Sequence, residues 1–426
     1  MKILIISYYF PPFNVIGAVR VGKLAHYLHT FGHDVQVISA ADQPLQATLT
    51  PQLPEERVTH TPWIDVNRLV QAALGGREKV ARQGYATSGG SPTVKALLGR
   101  LGLLYKTVLH TPDGQIGWLP WAIQASLQKI EAWGTPDIIF ASSSPLTSLI
   151  AARVVSQRSG VPWVADMRDM WTTNPYYPYK GLRKRFDRWL ETELLQHARG
   201  MTGVSAPIVE ELRAEYGKPA QLILNGFDLS DYPTPAPPDP DGPLRIVYTG
   251  MIYEGRRDPT PLFQALKLLG ERAERVRVAF YGRYLNIVHE LAERCGVPSL
   301  VEVHDPVPYS ESLRLQAEAD LLLLLLWNDP RAQGVFTGKL FEYIGAGRPI
   351  IALGAPDNVA ARLVADRGAG VVPASPQELA EQLDRWITLK EQGQLIPSPD
   401  NSVRAGLSRE DQARRLADFL SDLTSN

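Results

Sequence analysis

One arrangement of elements occurs twice in this chain, about half a chain apart, and it restricts the fold more than any other feature. The chain opens with the apolar run KILIISYY, a loop rich in Pro and Gly, the helical pattern VRVGKLAHYLHTFG and a second apolar run, DVQVISA. The order restarts at Pro243 with PLRIVYTG, a loop, the helical pattern PLFQALKLLGERA and the run VRVAFYG. A strand, a helix and a strand in this order predict a right-handed crossover between parallel strands. The repeat therefore predicts an α/β chain with two doubly wound, Rossmann-like domains.

The boundary between the two domains is indicated by residues 231–243, DYPTPAPPDPDGP. So many prolines preclude a helix or a central strand, and the segment is typical of a semi-rigid linker. A chain of 426 residues is also too long for one ordinary core. We therefore predict a first domain over residues 1–230, this linker, a second domain over residues 244–405 facing the first across a cleft, and a C-terminal helix over residues 406–426 that packs back on the first domain.

Composition and charge argue against several classes of protein. The net charge of −1 provides no general attraction for nucleic acid, and the single cysteine, Cys295, excludes an intrachain disulfide. The longest apolar run, residues 321–327, is shorter than the ~20 residues that cross a bilayer, and it is typical of a central strand buried on both faces. No secretory leader pattern is visible, so we expect a cytoplasmic protein.

The usual motifs for metal binding and for nucleophilic catalysis are absent from the sequence. It holds no CxxC, HExxH, GxxxxGK[ST] or GxSxG pattern. Its only Asp-x-Asp, formed by Asp239 and Asp241, lies in the proline-rich linker, which does not hold two carboxylates rigidly enough for a metal. We therefore expect neither a metal nor another cofactor.

Residues 334–353, GVFTGKLFEYIGAGRPIIAL, carry the strongest signal for a ligand. They predict a short loop, a helix with Lys339 and Glu342 one turn apart, a Gly-Arg-Pro stop and a buried strand. The start of a helix presents unpaired N–H groups and a positive dipole end, which suit a phosphate, and Thr337 and Gly338 let the backbone approach it. Lys339 adds a mobile charge, and a carboxylate beside it suits the paired hydroxyls of a ribose. The alternative is an ordinary amphipathic helix with an ion pair three residues apart.

Two arginines follow the first strand of the second domain. Arg256 or Arg257 could clamp a diphosphate together with Lys339, because a guanidinium group binds phosphate oxygens through paired hydrogen bonds. The sequence does not choose between the two arginines. The alternative is a solvated pair of loop cations.

In the first domain, the predicted strand PWVADM is followed at once by RDMW. Two acids, a cation and an indole therefore meet at one strand end. The acids could accept hydrogen bonds from a hydroxyl-rich acceptor, and the indole could stack on it. The alternative is a self-satisfied pair of Arg168 with an Asp that closes a loop, because charges at such a place need partners. The residues are Asp166, Arg168, Asp169 and Trp171.

Two other loops of the first domain hold weaker candidates. Gly17 precedes the first helix, where it could let the backbone approach a phosphate or a sugar, and Arg20 lies in the first helical turn. A simple helix-entry glycine explains Gly17 equally well. His110 and Asp113 lie in a loop rich in turn formers and Trp, where a structural role competes with a catalytic one.

A basic stretch over residues 180–199, KGLRKRFDRWLETELLQHAR, predicts an amphipathic helix. An apolar stripe that includes Leu182, Phe186 and Trp189 is flanked by several Arg and Lys residues. Such a helix can lie on an anionic membrane, or it can pack its stripe on the first domain and solvate its charges. Residues 93–109 are a second candidate for membrane contact.

These motifs, taken together, resemble those of family-four glycosyltransferases of the GT-B fold. KILIISYYFPP…GAVR, RDMW, the turn NGFD, YTGMIYEGRR and GVFTGKLFEYIGAGRPII occur in the same order as in that family, over nearly the entire chain. The pattern is most similar to the branch that makes bacterial surface polysaccharides, of the colanic-acid or O-antigen type. The resemblance implies a hexosyl or N-acetylhexosaminyl transferase that retains anomeric configuration without a metal.

The resemblance also implies where each substrate lies. The nucleotide-diphosphate sugar would bind the second domain and a sugar or lipid-linked acceptor the first, with peripheral contact at the inner membrane surface. Lys339 and one of the two arginines would hold the diphosphate, Glu342 the ribose, and Gly282 with the loop HDPVPY the base. The predicted nucleotide-sugar-binding residues are Gly17, Gly250, Arg256, Gly282, Val307, Gly334, Val335, Phe336, Thr337, Gly338 and Glu342; the predicted acceptor-binding residues are Asn14, Arg20, His110, Asp113, Arg168 and Trp171; and the predicted catalytic residues are Arg257, Lys339, Asp166 and Asp169.

One position departs from the family pattern. Many members carry two glutamates eight positions apart; Glu342 matches the second, but Gly334 stands at the first. Backbone N–H groups of the loop over residues 333–337 would replace the missing sugar-facing carboxylate. Two other functions therefore stay open at the sequence level: a nucleotide-sugar epimerase of the same fold and a non-catalytic nucleotide-sugar-binding protein. The sequence does not predict an oligomeric state.

Overall fold

The structure is a computed structural model that describes residues 1–66, 110–234, 239, 242–252, 257–283, 285–327, 329, 331, 334 and 336–425. The chain divides into two compact units. The first comprises Met1–Val204, Ile208–Leu222 and Leu416–Asn426, and the second comprises Ser205–Pro207 and Ile223–Arg415. Residues 223–230, which we predicted in the first domain, therefore lie in the second unit.

The first unit contains a parallel sheet with the strand order β3-β2-β1-β4-β5-β6-β7. Its strands are β1 (Lys2–Ile6), β2 (Asp34–Ala40), β3 (Val58–Thr61), β4 (Ile138–Ser142), β5 (Trp163–Met167), β6 (Gly200–Gly203) and β7 (Ala220–Leu222). The helices in its described part are α1 (Ile16–Thr30), α2 (Leu119–Trp133), α3 (Thr147–Ser159), α4 (Gly181–Leu195) and α5 (Ala206–Tyr216). Reversal of the strand order between β1 and β4 makes this a doubly wound, Rossmann-like sheet.

The second unit repeats the same plan with the strand order β10-β9-β8-β11-β12-β13, again parallel throughout. Its strands are β8 (Leu244–Thr249), β9 (Val276–Tyr281), β10 (Val301–His304), β11 (Leu321–Leu325), β12 (Ile350–Leu353) and β13 (Gly370–Val371). The helices that follow are α6 (Thr260–Leu269), α7 (Asn286–Cys295), α8 (Tyr309–Glu318), α9 (Gly338–Ala346), α10 (Val359–Asp366), α11 (Pro376–Glu391) and α12 (Arg409–Ser425).

Burial explains which strands the sequence predicted well. Every residue of β11, LLLLL, is buried, as expected for a central strand with helices on both faces. The two doubly wound halves predicted from the repeated strand–helix–strand order are confirmed. Two short strands were missed: β3 has the polar sequence VTHT, and β6 is the glycine-flanked GMTG. Neither has the run of branched apolar residues that identifies a strand.

The C-terminal helix α12 begins in the second unit, and its residues from Leu416 onward belong to the first. Within the first unit, the carbonyl oxygen of Leu423 accepts a hydrogen bond of 3.4 Å from Arg199 Nε, and the side chains of Phe419 and Leu423 cover the backbone of Gly200. Among the described residues, no helix is long and apolar enough to cross a membrane.

Candidate functional site

The second unit gathers its candidate residues at the carboxyl ends of its parallel strands. Gly250 directly follows β8, Gly282 directly follows β9, and Val307 lies in the loop after β10. The loop after β11 leads through Gly334 to α9. Strand order reverses between β8 and β11, and ligands of open α/β sheets bind in the crevice at such a point. The chain beside this crevice thus carries most of the predicted nucleotide-sugar residues.

Helix α9 begins where the sequence predicted a phosphate site. Thr337 is its N-cap residue with extended backbone angles, and its side chain caps no N–H group in the described part of the chain. Lys339 Nζ donates a hydrogen bond of 2.8 Å to Glu342 Oε2. Lys339 stays partly exposed, whereas Glu342 is buried. The helix start therefore combines backbone donors, a partly solvated cation and a held carboxylate, which together suit a phosphate and a diol.

Glu342 is also held from the neighbouring helix α8. Nε2 of the completely buried Gln316 lies 3.1 Å from Glu342 Oε2, 3.0 Å from Thr249 Oγ1 and 3.1 Å from Ser312 Oγ, so its two N–H groups are shared among three acceptors. An amide that bridges α8, α9 and the end of β8 restricts the rotamer of the carboxylate. This contact was not predicted from the sequence. The sequence feature that could have indicated it is the position of Gln316, a polar residue four positions after Ser312 on the face of α8 that the helical pattern assigns to the core.

Two tyrosines tie the backbone of α9 to the rest of the second unit. Tyr232 Oη donates to the carbonyl oxygen of Glu342 at 2.5 Å, and Thr249 N donates to Tyr343 Oη at 3.1 Å. Burial, together with the nearby Glu342 carboxylate, raises the pKa of Tyr232 well above its usual value. Burial raises the pKa of Tyr343 to about 12. Both phenols are therefore neutral at physiological pH, and the position of α9 does not depend on their titration.

Arg257 lies on the same side of the unit as Lys339. Arg257 Nη1 and Tyr248 Oη both donate to the carbonyl oxygen of Met251, at 3.2 Å and 2.8 Å. Burial raises the pKa of Tyr248 to about 12, while the charges of Arg257 and Lys339 oppose that rise. Both cations thus act on one phenol. The other arginine, Arg256, and Val335 lie outside the described residues, so the structure does not compare the two arginines.

Gly250 and Gly282 approach each other closely. A Cβ atom added to Gly282 would overlap the backbone oxygen of Gly250. Gly282 is therefore required by the packing of two loops, whether or not a base binds beside it. Phe336, also predicted to line the donor site, turns its ring toward Phe341 of α9, with centroids 5.6 Å apart. Gly338 is the first residue of that helix.

The first unit has a corresponding point of reversal between β1 and β4. The guanidinium group of Arg168 donates to the carbonyl oxygens of Ser143 and Ser144, which follow β4. The same group lies against Gly17 so closely that a Cβ atom would collide with it. Gly17 lies in the first unit, where Arg168 occupies the space beside it. Packing against Arg168 therefore requires a glycine at this position, and the predicted contact of its backbone with a nucleotide sugar stays a prediction.

Arg20 and Asp166 form a completely buried ion pair. Arg20 donates to Asp166 Oδ2 through Nε at 3.0 Å and to Oδ1 through Nη2 at 2.7 Å. Ser142 and Thr202 each donate a further hydrogen bond of 2.7 Å to the carboxylate. Burial alone would raise the pKa of Asp166, but the Arg20 charge and these hydrogen bonds lower it below its usual value. Neither side chain is accessible to a substrate, so we revise the catalytic role predicted for Asp166 and the acceptor contact predicted for Arg20.

The remaining candidates of the first unit differ in exposure. Trp171 is buried, so its ring does not offer a stacking face, and we revise that prediction as well. Asp169, two residues before it, is exposed at the end of β5. Asp113 accepts hydrogen bonds from Thr147 N at 3.0 Å and Thr147 Oγ1 at 2.7 Å, which places it at the start of α3. Burial raises the pKa of Asp113, and the bonds from Thr147 oppose that rise.

His110 and Asn14 make contacts at loop positions. The carbonyl oxygen of His110 accepts a hydrogen bond of 2.9 Å from Arg183 Nη2. Asn14 Nδ2 donates to Thr48 Oγ1 at 2.9 Å. In the described part of the chain, no group of three or more His, Cys, Asp and Glu residues is arranged to hold a metal ion.

Family comparisons agree with this division into halves. Residues 17–226 match the glycosyl transferase 4-like domain, and residues 243–388 match glycosyl transferases group 1. The chain is a GT-B glycosyltransferase. No curated protein matches its sequence.

Solved structures share the fold of this glycosyltransferase at low sequence identity. Anabaena HepE in complex with UDP is 16% identical, with a TM-score of 0.62, over 99% of this chain and 100% of that one. Sucrose-phosphate synthase from Thermosynechococcus elongatus is 14% identical, with a TM-score of 0.61, over 100% of both chains. A putative UDP-N-acetylglucosamine 2-epimerase from Listeria monocytogenes is 15% identical, with a TM-score of 0.55, over 100% of this chain and 98% of that one.

Proposed function

We propose that this GT-B glycosyltransferase moves a hexosyl or N-acetylhexosaminyl group from a nucleotide-diphosphate sugar to a hydroxyl group of a sugar or lipid-linked acceptor. The observation that carries the proposal is the group formed by Lys339, Glu342 and Gln316 at the start of α9, beside the reversal point of the second sheet. A diphosphate suits the helix start and its cation, and a ribose diol suits the carboxylate. The UDP complex of HepE supports a nucleotide donor.

The proposed reaction retains anomeric configuration and uses no metal. The bond between the anomeric carbon and the diphosphate oxygen breaks, and a bond from the acceptor oxygen forms on the same face of the sugar. The acceptor proton passes to an oxygen of the departing phosphate, so no strong protein base is required. Lys339 and Arg257 stabilise the charge that develops on the leaving group, an effect of about 3 kcal/mol for a well-placed donor.

The acceptor side belongs to the first unit in this proposal. Asp169 is the exposed acid among the candidates there, and Arg168 orders the loop after β4 through its bonds to two carbonyl oxygens. We assign the transfer to bacterial cell-surface polysaccharide or glycoconjugate synthesis, of the colanic-acid or O-antigen type, at the cytoplasmic side of the inner membrane. The motif resemblance supports this pathway.

A panel of nucleotide-diphosphate sugars tests the donor site by thermal shift. We expect one donor to raise the melting temperature of the wild type but not of Lys339→Ala. Lys267→Ala is the matched control, because Lys267 is an exposed lysine on α6 of the same unit. If no donor shifts the wild type, or if one shifts Lys339→Ala equally, the assignment of α9 as the donor site is wrong.

Product analysis with the stabilising donor then tests the reaction. We expect a new glycosidic bond with the anomeric configuration of the donor, formed at the same rate in the presence of EDTA. An inverted product, or activity that EDTA abolishes, contradicts the proposed mechanism. Conversion of the donor to its epimer without an acceptor would instead identify an epimerase, a possibility raised by the shared fold of the Listeria protein.

A further inference from the structure

Over residues 181–191, helix α4 of the first unit turns charged residues inward and apolar residues outward, whereas Leu194 and Leu195 at its end are buried. Its buried residues include Arg183, Asp187 and Glu191. Leu182 is 83% exposed and Trp189 57% exposed, on the opposite side. A surface helix normally buries its apolar stripe, because that burial is what stabilises it. The orientation of this helix therefore needs an explanation. Its exposed apolar side chains also point to a binding partner.

Ion pairs and hydrogen bonds beneath the helix explain the orientation. Arg183 Nε donates to Asp187 Oδ2 at 2.7 Å, and Tyr177 Oη donates to the same oxygen. One turn further on, Glu191 Oε2 accepts hydrogen bonds from the backbone N–H and the hydroxyl of Thr172. Rotation of α4 to bury its apolar residues would break these bonds and leave charges without partners, at a cost that the gained apolar burial does not offset.

The exposed apolar residues form one continuous line. Leu182, Phe186 and Trp189 stand at the spacing i, i+4 and i+7, and the rings of Phe186 and Trp189 lie 5.5 Å apart. Lys180, Lys184 and Arg185, all exposed, flank this line. We call these six residues the α4 outer face. The only acid between residues 180 and 189 is the buried Asp187, so the charge of this face is entirely positive.

We propose that the α4 outer face binds the surface of an anionic phospholipid bilayer. Trp, Phe and Leu on one side of a helix enter the boundary between headgroups and acyl chains, while neighbouring Lys and Arg attract anionic headgroups. An apolar line flanked by cations matches the two features of an anionic bilayer surface, an apolar layer beneath negatively charged headgroups. Residues 93–109, the other candidate for membrane contact, lie outside the described residues.

This inference does not rest on the proposed transfer reaction, because lipid binding is measured without substrate. The first experiment is flotation of the full chain with vesicles of phosphatidylcholine alone and of phosphatidylcholine mixed with phosphatidylglycerol. We expect binding to the mixed vesicles that weakens as salt is added. Lys184→Gln with Arg185→Gln should weaken binding about 25-fold, at roughly fivefold per cation.

The apolar contribution is tested with matched substitutions on two helices. Replacing Leu182, Phe186 and Trp189 by Ser should weaken binding by on the order of a hundredfold. The control is Leu268→Ser with Lys267→Gln on α6, because Leu268 is a comparable exposed leucine, at 54% exposure, beside an exposed lysine. The control should float as the wild type does. Circular dichroism and melting temperature verify that each variant is folded.

A spectroscopic readout separates insertion of this face from binding elsewhere. Phosphatidylglycerol with brominated acyl chains should quench tryptophan fluorescence of the wild type. Trp189→Phe should still float but lose most of the quenching, because it keeps an apolar ring and removes the inserted indole. Failure of the wild type to float on anionic vesicles, equal binding to phosphatidylcholine alone, or unchanged quenching in Trp189→Phe would each overturn the proposal. A soluble protein partner for this face would be indicated by the first of these outcomes.

Discussion

Gln316 holds Glu342 from a neighbouring helix. Gln316 Nε2 donates to Glu342 Oε2 at 3.1 Å, and the same carboxylate oxygen accepts the hydrogen bond of 2.8 Å from Lys339. The amide also reaches Thr249 at the end of β8. The carboxylate proposed to bind a ribose is therefore held in place by strand β8 and helix α8 before any ligand arrives. Such preorganisation reduces the entropy lost on binding.

Gln316→Met should weaken donor binding while leaving the chemical step nearly unchanged. Methionine keeps the length and volume of the side chain but removes the donor to Glu342, so the carboxylate loses its fixed rotamer. We expect KM for the donor to rise about tenfold, equivalent to one hydrogen bond to a charged group, with kcat within about threefold of the wild type. Steady-state kinetics against donor concentration make the measurement.

Ser312→Ala is the control for that variant. It removes one acceptor of Gln316 but leaves the bond to Glu342, so KM should not change. Comparison of a donor with its 2′-deoxyribose analogue adds a second readout, since Gln316→Met should discriminate less between the two. Parallel losses of kcat and stability in Gln316→Met, with KM unchanged, would show that the amide only supports the fold.

Lys339→Ala should reduce turnover far more than it reduces stability. Lys339 is partly exposed and Gln316 still donates to the buried Glu342 after its removal, so the loss of folding energy should be small, whereas a cation placed at the departing diphosphate would contribute on the order of 3 kcal/mol to the transition state. We expect kcat to fall by about a hundredfold or more, with a melting temperature close to that of Lys267→Ala. Equal proportional losses of activity and stability would contradict the assignment.

The buried pair of Arg20 and Asp166 should contribute strongly to the stability of the first unit. Either Arg20→Met or Asp166→Asn leaves one buried group without its partner, and we expect each to cost about 3–5 kcal/mol in the free energy of unfolding. The double variant should lose clearly less than the sum of the two single changes. Denaturant unfolding of the wild type, the two single variants and the double variant provides the double-mutant cycle. Additive losses of unfolding free energy would show that the two side chains act independently.

The same pair predicts a dependence of stability on pH. Burial raises the pKa of Asp166, but the Arg20 charge and the hydrogen bonds to the carboxylate lower it by more. The pKa of Asp166 is therefore lower in the folded chain than in the unfolded one. Its contribution is therefore complete above the unfolded pKa of about 4, and it is lost as pH falls through the folded pKa. Between neutral pH and about pH 3, the wild type should lose more stability than Asp166→Asn. Parallel pH profiles of the melting temperature would refute this.

Gly282→Ala should destabilise the second unit in the absence of any ligand. The added methyl group meets the backbone oxygen of Gly250, which cannot move without disturbing the end of β8. We expect a loss of about 1–3 kcal/mol, typical of overpacking. Differential scanning calorimetry of the ligand-free protein provides the measurement. An unchanged melting temperature together with weaker donor binding would instead favour a direct role for this glycine at the base.

The sequence predicted the larger part of the fold because its signals are local. The apolar runs of β8, β9 and β11 and the strand–helix–strand order identify parallel sheets without reference to distant residues. Strand β3 was missed because VTHT pairs with β2 through its backbone and has few apolar side chains. The contact between Lys339 and Glu342 could be predicted because a helix brings residues three apart to one face, while their part in binding a nucleotide stays a prediction.

What the sequence by itself determined is most of the elements, their order and the pairing of residues within one helix. Only the tertiary structure decided which polar residues are buried against each other. Asp166 and Arg20 are 146 residues apart, and no pattern near either one predicts their ion pair. Gln316 and Glu342 likewise meet across two helices, and α4 turns its apolar line outward because buried charges beneath it need partners. Long-range pairing of polar groups depends on packing geometry, and local periodicity carries no information about it.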